Sequence, residues 1–186
     1  MSRRARAALL ATLLALTPAC AVETGVAVDT AKDPTCLAER LILIAQSVPS
    51  AKLIPCIAAY PAGWSFERIE VHNDKSEFSL ESDRAGQAAV TVTLLPRCDT
   101  EGATLVQQND EPSTEKYERI TQAVGRYVGD RYYVFDGGCV VYHFDLDVQN
   151  ERLALANEAT AALTFMPRTE VAAQVASYSR GELRLD

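Results

Sequence analysis

Three residues capable of ligand or acid–base chemistry alternate in one segment: His143, Asp145 and Asp147. In an extended strand, residues two apart point to the same face, so these side chains would share one surface. An imidazole and carboxylates arranged in this way can hold a metal ion that activates water, which would support metal-assisted hydrolysis. The exposed face of an ordinary antiparallel strand gives the same pattern, and no fourth ligand is evident. We therefore keep hydrolysis at His143/Asp145 as the alternative hypothesis and assign no catalytic or metal-ligating residue.

Motifs of nucleophilic, phosphate and cofactor chemistry are absent from the sequence. It has no Gly-x-Ser-x-Gly elbow, phosphate-binding loop, dinucleotide fingerprint or zinc motif. Pairs of carboxylates occur, but among 25 acidic residues they carry little information. No cofactor is predicted.

The cysteines predict a covalent framework. The chain has five of them, at positions 20, 36, 56, 98 and 139. Disulfides persist in exported proteins, where an even number of cysteines is expected in the folded part. Four cysteines remain if Cys20 is set aside, and they allow three connectivities. We favour Cys36–Cys56 and Cys98–Cys139, because each pair is nearest in sequence and each bond would fix an element otherwise held at one end.

The first residues have the parts of an export signal. Arg3, Arg4 and Arg6 form a basic start, the apolar stretch from Ala7 to Leu16 follows, and small residues come next. A bilayer span needs about 20 apolar residues, and this stretch is too short. We therefore interpret residues 1–19 as a signal peptide that is removed on maturation.

The end of the leader allows two kinds of processing. Leu16-Thr17-Pro18-Ala19-Cys20 resembles the lipobox of bacterial lipoproteins, in which the cysteine is acylated and becomes the first mature residue; the family pattern favours Leu where Thr17 stands. Alternatively, Ala19-Cys20-Ala21 fits ordinary signal peptidase, which would release a secreted protein. Residues 21–32 are small and polar and suit a tether, so we favour a lipid anchor at Cys20 and a tether over 20–32.

The whole chain is similar to small actinobacterial lipoproteins of unknown function in its leader, cysteine layout and composition. That resemblance implies an extracytoplasmic protein held to the cell membrane by a fatty acyl chain, and it implies no activity. The leader contains three arginines and no acid, so the chain from Cys20 onward has 15 basic and 25 acidic residues and a net charge of −10. Such a surface repels nucleic acid. The expected partners are instead the membrane, through the lipid, and a protein, a cell-wall component or a small apolar ligand.

Aromatic side chains suggest where such a partner would bind. Tyrosine and tryptophan combine a large apolar body with a polar group, which favours them at binding surfaces. Tyr132 and Tyr133 are adjacent in a predicted strand, so they point to opposite faces and at least one lies outside the main core. The candidate binding surface contains Trp64, Tyr132, Tyr133, His143 and Asp145.

These residues must be positioned by a mixture of strands and helices. Asp33 and Pro34 are a helix-start signal, and apolar spacings of three and four from Leu37 to Val48 predict a helix over 34–47, with Cys36 in its first turn. Two further helices are predicted over 149–163 and 169–179.

Alternating apolar and polar residues predict the sheet. A three-stranded antiparallel meander is expected between Trp64 and Leu94, and a hairpin over 131–135 and 139–146 closes around Asp136-Gly137-Gly138. Residues 117–124 fit helix or strand and are taken as strand, 100–114 as a surface loop, and 182–186 as a short last strand.

Together these elements predict one globular α+β domain over residues 33–186. It would contain an antiparallel sheet of about five strands, helices packed on one face and two disulfides. The favoured function is a membrane-anchored, non-catalytic binding or interaction domain.

Overall fold

The fold is built around a large antiparallel sheet. The structure, a computed structural model, describes residues 33–106, 114–148 and 151–185 of the 186-residue chain. In chain order the elements are α1 (Ala38–Ser47), β1 (Leu53–Ile57), β2 (Trp64–His72), β3 (Lys75–Ser82), β4 (Gly86–Leu95), β5 (Thr104–Val106), β6 (Glu115–Gln122), β7 (Tyr127–Phe135), β8 (Gly138–Leu146), α2 (Arg152–Ala162), β9 (Leu163–Pro167) and α3 (Arg168–Tyr178). The predicted α+β class is confirmed, but the size of the sheet is not.

The main sheet has seven strands rather than about five, in the order β2-β3-β4-β8-β7-β6-β5. All neighbouring strands are antiparallel. The predicted meander forms β2 to β4, the predicted hairpin forms β7 and β8, and pairing of β4 with β8 joins the two. Residues 115–122 form a strand, as the interpretation of 117–124 expected.

The sequence missed three short strands. β5 lies inside the predicted loop over 100–114, of which residues 107–113 are outside the described part. β1 and β9 pair with each other as a separate two-stranded sheet. Each missed strand has only three to five residues, and β1 and β9 contain prolines, so none shows a clear alternation. Tertiary pairing rather than local pattern makes them strands.

The first helix begins later than expected. Residues 34–47 were predicted, but α1 starts at Ala38, and Cys36 precedes it. The Cys36 amide donates to the Ile57 carbonyl at 3.2 Å and the Ile57 amide donates to the Pro34 carbonyl at 2.8 Å. Pairing with the end of β1 therefore replaces the first helical turn. Asp33 does not cap the helix; its carboxylate accepts a bond from the Arg40 side chain at 3.1 Å.

The two later helices match their predictions with small shifts. α2 begins at Arg152, and the predicted start at residues 149–150 lies outside the described part. α3 covers 168–178 against a predicted 169–179. Residues 182–185 are not a strand, so the predicted last strand is wrong over these positions.

The two faces of the seven-stranded sheet differ. One, the covered face, carries Phe78, Val92, Tyr142 and Phe144, which form a single core cluster with buried residues of all three helices. The helices therefore pack on one face, as predicted. The opposite face is named the open face. It carries the side chains that alternate with the covered-face residues along each strand.

A charged residue also lies on the covered face. Arg131 is 7% exposed and contacts α2, donating to the Thr160 hydroxyl at 2.6 Å and to the Asn157 side chain at 2.8 Å. Its guanidinium lies 3.0 Å from a Glu118 carboxylate oxygen and over the Phe144 ring. This network ties α2 to strands β6 to β8.

Two disulfides complete the frame, and they join the pairs favoured from the sequence. Cys36–Cys56 and Cys98–Cys139 have Cα separations of 5.0 and 5.7 Å. Two such bonds in one chain indicate folding in an oxidising compartment outside the cytoplasm. In the part of the chain that the structure describes, no helix has the length and apolar character needed to cross a bilayer.

The β7–β8 turn needs its glycine. Gly137 has a φ of 77°, in the left-handed region that glycine tolerates. A Cβ atom at this position would lie 1.9 Å from the backbone oxygen of Ser50. Any side chain would therefore push the hairpin away from the residues that follow α1.

Candidate functional site

The five residues predicted to form one binding surface are divided between the two faces. Trp64 and Tyr133 are core residues on the covered face, with 5% of each exposed. Tyr132, His143 and Asp145 lie on the open face, as their register with neighbouring strands requires. The structure therefore brings only the last three onto a common surface.

Tyr133 belongs to an aromatic cluster. Its ring centroid lies 4.8 Å from that of Tyr142 and 5.3 Å from that of Phe165 on β9. Burial raises the pKa of the Tyr133 hydroxyl to about 12. Such contacts stabilise the packing of β9 against the sheet and leave little of the ring for a partner.

Trp64 lines an open cavity at the end of the sheet where β2 begins and β3 ends. The cavity has a volume of about 470 Å³ and is lined by Gly63, Trp64, Ser65, Glu81, Ser82, Asp83, Gly86 and Gln87. Within the described residues the buried indole nitrogen of Trp64 has no hydrogen-bond partner. The ring itself packs in the core.

A four-residue network, the Asp130 cluster, lies on the open face. Register places Arg119 beside Asp130 and Asp130 beside His143 on three neighbouring strands, and Tyr132 is two residues along β7. Asp130 Oδ1 is 2.7 Å from His143 Nδ1, and Asp130 Oδ2 is 2.9 Å from Arg119 Nη2 and 3.1 Å from the Tyr132 hydroxyl. Arg119 also donates to that hydroxyl and stacks over the Tyr132 ring.

The Asp130 cluster favours an ionised carboxylate. Burial alone would raise the pKa of Asp130, but the hydrogen bonds from His143, Arg119 and Tyr132 outweigh it, and the pKa lies below its usual value. Because a carboxylate only accepts, His143 Nδ1 carries the proton of that bond. Nε2 is then the imidazole nitrogen left for a ligand. Arg119 is committed to Asp130 and to the Glu101 carbonyl, so it is not presented to a substrate.

The alternating residues His143, Asp145 and Asp147 do not converge as the ligands of a metal ion would. Asp145 is held by Arg126, whose guanidinium contacts both carboxylate oxygens, one of them at 2.7 Å. Asp147 lies beyond the end of β8. Over residues 33–106, 114–148 and 151–185, no group of three or more His, Cys, Asp or Glu side chains is placed to hold a metal ion. His143 thus takes its carboxylate from β7, not from its own strand.

The sequence did not reveal a second feature of the open face, which we name the apolar patch. Register aligns Leu105, Tyr117, Tyr132 and Val141 across four strands, and Val134 and Leu95 flank Cys139 in the next row. In the sequence of each single strand, the residues of this face are mostly polar with an occasional apolar residue. Only the pairing of β5, β6, β7, β8 and β4 places these side chains next to one another.

Cys20, the predicted lipidation site, lies outside the described residues, as do the predicted signal peptide and tether up to residue 32. The other four cysteines are all bonded in pairs.

Comparisons with known proteins give little to carry over. No protein-family model and no curated protein matches the chain. A crystal structure of a protein from Bacteroides thetaiotaomicron VPI-5482 is similar over 63% of this chain, with 12% sequence identity and a TM-score of 0.31. The matched region spans 46% of the length of that protein, less than half of it. At that level the likeness transfers neither fold nor activity.

Proposed function

We propose that this protein is a bacterial lipoprotein, anchored to the outside of the cell membrane through an acylated Cys20, with a non-catalytic domain that binds a partner. The observation that carries the proposal is the use of the cysteines. All four in the described residues form disulfides, so the fifth, Cys20, at the end of an export leader, is not needed for cross-linking. A thioether to lipid accounts for the odd cysteine, as does removal of Cys20 with the leader, and the small, polar segment over 21–32 favours the lipid anchor.

Contacts on the open face support binding rather than catalysis. Both Asp145 oxygens, which a metal-assisted hydrolase would use beside His143, are engaged by Arg126, and the described residues contain no group of three or more His, Cys, Asp or Glu side chains placed to hold a metal ion. Metal-assisted hydrolysis at His143 is therefore the weaker alternative. A partner protein is favoured over a small apolar ligand because the core between sheet and helices is filled by buried side chains.

Intact mass and detergent partitioning test this proposal on the full chain expressed in a bacterial host. We expect a mature protein that starts at Cys20, carries the mass of acyl chains, has lost four thiol hydrogens and enters the detergent phase. Cys20→Ser should move it to the aqueous phase. A product that starts at Val22 and carries no lipid would show that the protein is secreted rather than anchored. A chain that keeps its leader and four free thiols would refute both.

A further inference from the structure

The apolar patch leaves apolar side chains exposed on the open face of the sheet. Leu105 is 58% exposed, and Leu95, Tyr117, Val134 and Val141 are each partly exposed around the buried Tyr132. Directly opposed side chains in antiparallel strands lie about 5 Å apart, so these residues form continuous rows rather than isolated spots. A contiguous apolar patch with a polar rim marks an interaction site more often than an isolated exposed side chain does.

The rim of the apolar patch is acidic. Glu115 flanks Val134 and accepts a bond from the Tyr117 hydroxyl at 2.9 Å, and the exposed Asp99 and Glu101 lie in the loop after Cys98. Asp99 is close enough to Tyr132 that its charge adds to burial and to the Asp130 contact, which together raise the pKa of Tyr132 to about 12. The rim thus has three exposed acids, Asp99, Glu101 and Glu115, and one exposed base, Arg97, while the neighbouring Arg119 is paired with Asp130.

We propose that the apolar patch binds a cationic amphipathic segment of a partner protein, an inference that rests on the proposed role as a binding domain. Apolar side chains of the segment would cover Leu105, Val141 and Val134, while its Lys or Arg side chains would face Asp99, Glu101 and Glu115. Complementary charge of this kind accelerates encounter and excludes anionic partners. It also disfavours a second copy of this chain, because two acidic rims would be brought together.

Binding of synthetic peptides to the mature protein, purified from a bacterial host in nonionic detergent, tests the proposal. The probes are peptides of alternating Lys and Leu, of Glu and Leu, and of Lys and Ser, measured by fluorescence anisotropy against a detergent blank. We expect the Lys/Leu peptide to bind, with an affinity that falls as salt rises, and the other two to bind at least about tenfold more weakly.

Two pairs of variants distinguish binding at the apolar patch from nonspecific binding elsewhere on the protein. Leu105→Ser with Val141→Ser should weaken Lys/Leu binding by about tenfold, whereas the matched Leu153→Ser with Val124→Ser, which changes exposed apolar residues elsewhere, should not. Glu101→Gln with Glu115→Gln should weaken it by a few-fold at low salt, and the charge-matched Glu39→Gln with Glu182→Gln should have no effect. Circular dichroism confirms that each variant is folded.

Four results would each overturn the proposal: no binding of the Lys/Leu peptide, equal binding of the Lys/Ser peptide, equal loss in patch and control variants, or dimerisation of the wild type that Leu105→Ser with Val141→Ser abolishes. Lipidation is read from the mass of the same preparation. A lipidated protein that ignores the peptide defeats this inference alone, while an unprocessed chain with free thiols defeats the proposed function.

Discussion

Adjacent residues of β7 face opposite sides of the sheet and both use ionic contacts, yet the two sides differ in what those contacts achieve. Arg131 on the covered face binds groups from α2 and β6. Asp130 on the open face binds Arg119, Tyr132 and His143, all from the sheet itself. The Arg131 network attaches the helix α2 to the sheet. The other organises a surface that no helix covers.

The difference follows from how far polar groups on each face remain hydrated. A polar group on the covered face loses its hydration, so it must be paired within the protein or cost about 1–3 kcal/mol. Groups on the open face remain partly hydrated, and exposed ion pairs contribute about 0–1 kcal/mol. Changes on the two faces should therefore differ in size, and comparing Phe144→Ala with Val141→Ala and Arg131→Met with Arg126→Met measures by how much.

The largest effect is expected in the apolar core. Phe144 on the covered face is fully buried, and Val141 on the open face of the same strand is partly exposed. Phe144→Ala should lower the free energy of unfolding by about 3–5 kcal/mol, because it removes buried surface and leaves a cavity. Val141→Ala should cost about 1 kcal/mol or less. Urea unfolding curves measure both, and equal losses would mean that the open face is also buried in solution.

The disulfides come next. Cys98–Cys139 closes a loop of 41 residues that contains β5, β6 and β7, and Cys36–Cys56 closes one of 20 residues. On the chain-entropy model, opening the first should cost about 4 kcal/mol and opening the second about 3 kcal/mol. Cys98→Ser with Cys139→Ser and Cys36→Ser with Cys56→Ser can be compared by urea unfolding. A reversed order would show that native packing, not loop closure, sets the contribution of these bonds.

Local patterns predicted the parts of the fold whose side chains alternate within one strand or hairpin. The meander and the hairpin belong to this group. The helix α3 was predicted from helix signals in its own sequence, and the disulfides join cysteines that are nearest to each other in sequence. Patterns could not predict β1, β5 and β9, because their strand conformation depends on partners far away in the chain.

The candidate site shows the same limit. Alternation correctly placed His143 and Asp145 on one surface, but their partners, Asp130 and Arg126, come from β7 and the turn before it. The apolar patch needs the register of five strands, and neither Leu105 nor Val134 is distinctive alone. Trp64 and Tyr133 were placed on the binding surface because their residue types are common at interfaces, whereas the folded chain uses them in the core.

The third effect concerns the buried arginine. Arg131→Met should lower the free energy of unfolding by about 2 kcal/mol, since Thr160 and Asn157 lose their donor while Glu118 keeps Lys116 at 3.2 Å. Arg126→Met, which breaks the exposed pair with Asp145, should cost about 0–1 kcal/mol. Hydrogen exchange gives the sharper distinction: amides of α2 should exchange faster in the Arg131 variant and not in the Arg126 variant. Unchanged exchange in α2 would refute the attachment role.

The smallest effect is the pH dependence contributed by Asp130. Its pKa in the folded protein lies below its usual value despite burial, because His143, Arg119 and Tyr132 donate to the ionised form. The unfolded chain therefore takes up the proton first, at its ordinary pKa of about 3.9, and the stabilisation is present above that pH and disappears as pH falls through the lower folded value. Asp130→Asn should be less stable than wild type near neutrality, and the difference should narrow below about pH 4. Asp145→Asn is the matched control on the same face. If the stability difference between Asp130→Asn and wild type stays constant from neutral to acid pH, the fit of the side chain rather than its charge stabilises the fold. The contrast between the two faces would then not be explained by hydration.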